Sequence, residues 1–203
     1  MQTPAAVKPT TLTTRQRVGR AVLLAVPGLA LGAAGLLHPM HLSFATSRTW
    51  WMLHLVGLFI FPLVGLALAT LARGRRDPLV LLGVLAAYIY ATAYGALDVI
   101  NGLAAGYVTW RLGEGVPRPD EVRYLFAIGS PLGQVGSIAL LVAVALLLLD
   151  GVRRSGARAL PALVGLLGAW GVHQDHIFSP IGAAGMALVA LSTAWLYWVQ
   201  PST

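Results

Sequence analysis

The sequence predicts an all-α, polytopic membrane protein: a bundle of six transmembrane helices with both termini on the cytoplasmic side. Three observations lead there. Hydrophobic residues make up 57% of the 203-residue chain and charged residues only 10%, whereas a soluble domain carries about a quarter charged residues. The apolar residues gather into long runs, each near the roughly 20 residues that a helix needs to cross a bilayer. The basic residues fall in short segments between those runs, with a strong bias to one side. The net charge of +7 is therefore a topology signal. It does not mark a nucleic-acid partner; the partner it implies is the lipid bilayer, in a homo-oligomer or a larger membrane complex if there is any protein partner.

Cysteine is absent. That excludes disulfides, thiolate metal sites, iron–sulfur clusters and covalent c-type haem attachment. Thirteen of the fourteen basic residues are Arg. Together with abundant Ala and Gly, this composition suggests a GC-rich bacterial genome and hence the bacterial inner membrane.

Taken in order, residues 1–20 are polar and basic and read as a disordered cytoplasmic tail. The first span is expected over 21–37; a basic leader with a short apolar run also fits a signal peptide, but five further spans follow. The second is expected over 50–71, with Trp50 and Trp51 as interface anchors. The third covers 79–103, the fourth 125–149, the fifth 159–175 and the sixth 181–199, with 200–203 as a C-terminal tail. Segments on the N-terminal side carry ten Arg or Lys (8, 15, 17, 20, 73, 75, 76, 153, 154, 158), and the opposite loops carry four (48, 111, 118, 123). The N-terminus and C-terminus are therefore expected inside. Glycines such as Gly28 and Gly32 have the small-xxx-small spacing of close helix contacts rather than of a phosphate loop.

This topology sorts the polar residues by depth. Tyr90, Tyr94, Asp98 and Asn101 are spaced four, four and three apart and share one helix face. Asp98 is the one carboxylate set well inside an apolar run, and a charge there needs a partner, water or a task. Ser130, Gln134 and Ser137 form a similar stripe on the fourth span. His38, His41, His54, His173, Asp175 and His176 also fall in the outer third. The segments Leu31-Gly-Ala-Ala-Gly35 and Leu167-Gly-Ala-Trp-Gly171 each precede a His-x-x-His, which reads as a parallel repeat carrying two His pairs to the same face. Trp170 is expected to line the pocket between them.

Four chemistries fit this convergence. A metal ion (Zn, Cu or Fe) would take His54, Asp98 and His173 as the inner shell, with His38, His41, Asn101, Gln134, Asp175 and His176 at the mouth. Haem b would take axial His54 and His173. A transporter would use Asp98 as its coupling site, with Tyr94, Asn101 and Gln134 around it. A membrane-embedded hydrolase acting on lipid would use a metal-bound water, or Ser130 or Ser137 as nucleophile. Against these stands a structural subunit in which Asp98 merely pairs with Arg48 or Arg111 at the interface.

Overall fold

The structure is a computed structural model that describes residues 12–117 and 119–201, all of it helices, turns and loops among the described residues. The helix α1 spans Thr14–Leu36. Thr13 caps it: its hydroxyl accepts from Gln16 N at 3.3 Å, and the Gln16 side chain accepts from Thr13 N at 3.0 Å. This reciprocal capping box starts the helix inside the stretch expected as a tail, whose residues 1–11 lie outside the described residues. The helix α2, Phe44–Thr70, begins six residues before the expected 50. There the Thr46 hydroxyl accepts from Ser43 N at 2.9 Å.

The helix α3, Pro78–Leu97, has Asp77 as its cap and Pro at its first position, where a missing N–H costs nothing. It continues without a break into a π-helical segment, Asp98–Ala104, and then α4, Ala105–Leu112. The helical path thus runs nine residues past the expected 103 and stops at Gly113, whose φ of 91° breaks the helix. The helix α5, Asp120–Ser155, is followed by a 3-10 stretch, Gly156–Leu163, and by α6, Val164–Asp175. The last helix, α7, spans Ile181–Val199, the bounds expected of the sixth span.

Five helical stretches are long and apolar enough to cross a membrane: Thr14–Leu36, Phe44–Thr70, Pro78–Leu112, Asp120–Asp175 and Ile181–Val199. The fourth holds 56 residues. It is not one rod. Gly151 faces Ala159, Gly165 faces Val144, and Ser137 bonds His173. Residue numbers in these pairs sum to nearly the same value, so α6 runs back antiparallel along α5. The reversal sits at Gly156, at φ 58°, a conformation that glycine adopts without steric cost.

Small residues set the closest crossings. On α1, a Cβ at Gly35 would lie 2.2 Å from the Ile177 carbonyl oxygen, and one at Gly28 would lie 2.8 Å from Ala190 Cβ. On α6 and α7, Gly168 and Gly185 each pack on the other's carbonyl. The core between α2, α3, α5 and α7 is filled by Phe61, Tyr90, Tyr94, Leu140, Leu147 and Met186, all buried. The two ends of the bundle differ. At one, buried Asp150 is held by Arg75 and Arg154, and Arg75 also donates to the Leu71 carbonyl at 2.8 Å. Gln200 donates to the same carbonyl at 3.3 Å, and Arg17 donates to the Gln200 carbonyl. The other end carries every histidine.

Candidate functional site

The site begins with two imidazoles. His38 sits just beyond α1, and His54 is on α2; both are buried. His38 Nδ1 lies 2.8 Å from the Pro39 carbonyl oxygen, and His54 Nδ1 lies 2.7 Å from the Trp50 carbonyl oxygen. A carbonyl only accepts, so each Nδ1 carries its hydrogen, and each neutral ring then presents a bare lone pair at Nε2. Those two Nε2 atoms face each other at 3.5 Å. The rings meet edge-on, with centroids 4.9 Å apart and planes at 78°.

Each ring is fixed by its surroundings. Trp50 stacks on His54 at 5.4 Å, and its indole N–H donates to the Asn101 carbonyl at 3.0 Å. Gly102, in the π-helical segment, lets that backbone pass beside His54: a Cβ there would lie 2.1 Å from His54 Cδ2. Phe178 packs on His38 at 4.8 Å. His176 is the third imidazole of the group, 6.3 Å from His38 between ring centroids. It stacks on Tyr94 at 5.4 Å, and its Nδ1 lies 3.4 Å from the Tyr94 hydroxyl. Burial holds His38 below the usual histidine range, and burial with the neighbouring His54 and His38 holds His176 well below it.

Asp98 opens the π-helical segment and is 1% exposed. Its carboxylate faces α2, with Oδ1 3.0 Å from where a Gly57 Cβ would stand. Oδ2 has no hydrogen-bond partner, and among the described residues Asp98 pairs with neither Arg48 nor Arg111. Gly57 faces Asp98 and Gly102 faces His54, so Asp98 lies about one turn deeper than His54 along the antiparallel α2–α3 pair.

Beside the histidines is a cavity of about 320 Å³. It is lined by His54, His176, Tyr94 and Trp50 together with Asn101, Ser130, Gln134, Ser137, His173 and Asp175. Asn101 donates to the Ser130 hydroxyl at 3.2 Å, and the Ser137 hydroxyl lies 2.9 Å from His173 Nδ1. Most residues expected at a shared pocket therefore do meet there. The grouping within it differs from the expected one. His54 Nε2 faces His38 rather than Asp98, and His173 bonds Ser137. Among the described residues no three His, Asp or Glu side chains form a metal-holding group. His41 is exposed in the α1–α2 loop, and exposed Trp170 packs on His173 without lining the cavity.

Sequence reasoning missed the role of Trp50, taken only as an interface anchor, although it stands four residues before His54 and so offers its carbonyl to that ring. It also missed Gly102 and Phe178, and Phe126, which lines the cavity and packs edge-on against Trp50 at 6.4 Å.

Comparison with protein families, with characterised proteins and with solved structures finds no match to this chain. Fold and site alone define its class: a helical protein with several helices apolar enough to span a membrane, and a buried histidine pair beside a polar cavity.

Proposed function

We propose that the chain crosses the bacterial inner membrane six times, with both termini inside, and that its outward-facing pocket binds a late first-row divalent metal ion at His38 and His54. The observation that carries this reading is the 3.5 Å approach of two Nε2 atoms whose rings each turn Nδ1 to a backbone carbonyl. Two imidazoles bound to one tetrahedral ion at about 2.0–2.1 Å have their nitrogens about 3.3–3.4 Å apart, close to the 3.5 Å found here. Nδ1–H donation to a carbonyl is also how metal-bound histidines are oriented. The other ligands would be water or a bound small molecule from the cavity that His54 lines.

The same distance favours an ion over haem b. Axial histidines of a haem face each other across the iron, with the macrocycle between them. The pair expected to hold a haem is His54 and His173, and the Nε2 of His54 is turned instead to His38, with no room for a macrocycle between those two rings. A second reading, cation transport with Asp98 as the coupling carboxylate, is supported by its unpartnered Oδ2 one turn deeper.

Metal analysis and an absorbance spectrum on the purified protein test the proposal. The expected result is one ion per chain, no Soret band, and at least about a tenfold loss of affinity in His38→Ala and in His54→Ala. Metal content that survives both substitutions, or a Soret band, would overturn it.

A further inference from the structure

At the end of the bundle opposite the histidines, a groove runs along α1 and α7. They touch closely where Gly28, Gly32 and Gly35 meet Ala183 and Ala190. Beside this contact the groove is lined by Val18, Val22 and Leu29 of α1 and by Leu191, Trp195 and Trp198 of α7, with Arg17 lying 5.6 Å over the Trp198 ring. The opening is a groove of about 580 Å³, closed on its third side by Pro161 and Val164.

We propose that this groove seats an acyl chain of an anionic phospholipid. Length is the first argument. From Val18 to Leu29 the helix rises about 16 Å, close to half of the roughly 30 Å hydrocarbon core, which is the depth of one leaflet. Chemistry is the second. The walls are almost wholly apolar; apart from the indole N–H of Trp198, the wall side-chain donor is Trp195 Nε1, which already donates to the Arg158 carbonyl at 2.8 Å. A polar ligand would find little to pair with there. Charge is the third. Arg15 stands three residues before Val18, on the groove face of α1, and Arg158 is tied beside Trp195 at the same end. Both are exposed, and neither makes an ion pair among the described residues. Asp150, the carboxylate buried at this end, is already held by Arg75 and Arg154. The groove mouth therefore presents positive charge where a phosphate would sit. The proposal is independent of the metal site, which lies at the other end of the bundle.

The test is native mass spectrometry of the delipidated full chain in neutral detergent, given phosphatidylglycerol or phosphatidylcholine with the same acyl chains. Phosphatidylglycerol should be retained about fivefold or more over phosphatidylcholine. Combining Arg15→Gln with Arg158→Gln should bring the two to the same level. Ala194→Phe, which fills the groove, should lower retention of both severalfold and leave metal content unchanged. Equal retention of the two lipids by the unaltered chain overturns the proposal. So does a preference that survives both sets of substitutions, or a dimer that phospholipid does not dissociate, which would assign the groove to a second copy of the chain.

Discussion

At the scale of single residues, the site depends on where two backbone carbonyls point. The Pro39 and Trp50 carbonyls fix the Nδ1 hydrogens, and this turns the Nε2 lone pairs toward each other. Gly102 guards the same geometry from the other side, because a Cβ there meets His54 ring atoms at 2.1–2.2 Å. Gly102→Ala is expected to push the ring off its position, weaken metal binding about tenfold or more and destabilise the fold by about 1–3 kcal/mol. Gly95→Ala, where a Cβ would meet nothing within 4 Å, is the control and should leave both readings unchanged. Isothermal titration and thermal melts check this pair. Protonation gives a second expectation. Burial disfavours the charged form of His38 and His176 in the folded protein and holds both below the usual histidine value of about 6.5. The unfolded chain then binds more protons than the folded one as pH falls below about 6.5, so metal-free stability should be full above that pH and decline beneath it. A melting temperature that rises on acidification from pH 7 to 5 would contradict this. The convergence of His54, Asn101, Gln134, His173 and His176 was legible from depth along the spans. The pairing of His38 with His54 was not, because it rests on the turn at Pro39 and on carbonyl directions that side-chain spacing does not encode.

At the scale of elements, the decisive piece is the π-helical segment Asp98–Ala104 between α3 and α4. Its wider turn sets the register by which Asn101 offers its carbonyl to Trp50 while Gly102 clears His54. Such segments inside α-helices recur at functional sites. Deleting Val99, which is exposed, turns every following residue by about 100° on the helix and carries Asn101 and Gly102 away from α2. The expected outcome is unchanged helix content by circular dichroism with metal binding lost; retained binding would show that the register is irrelevant. Helix existence was legible from apolar run length, and α7 matched to the residue. The ends of the others were not, since capping at Thr13 and Ser43 extends α1 and α2 into polar stretches. The extension through α4 likewise rests on aromatic packing of Tyr107 and Trp110 against Trp51, a contact between distant parts of the chain.

At the scale of the whole molecule, the bundle is polarised, with histidines and a polar cavity at one end and arginines clasping Asp150 and Gln200 at the other. Basic loops favour the cytoplasmic face, which would leave the histidine end open to the outside and make the proposed metal site draw on periplasmic ions. The absence of cysteine makes this measurable, since any introduced thiol is the only one in the chain. Ser43→Cys and Glu114→Cys sit at exposed positions of the histidine end, and Arg76→Cys and Ala157→Cys at exposed positions of the arginine end. An impermeant maleimide should label the first two in intact spheroplasts and the second two only after permeabilisation. The reverse pattern would invert the protein and turn the proposed metal site toward the cytosol. Labelling of positions 114 and 157 from the same side would remove α5 as a crossing. The α5–α6 hairpin would then lie on one side of the bilayer or within it, and six crossings would fall. The expected pattern instead requires each of α2 and α5 to carry its two tagged ends to opposite faces. It would also set the His38–His54 pair, with His38 just past the end of α1 and His54 about three turns into α2, on the outer side of the bundle.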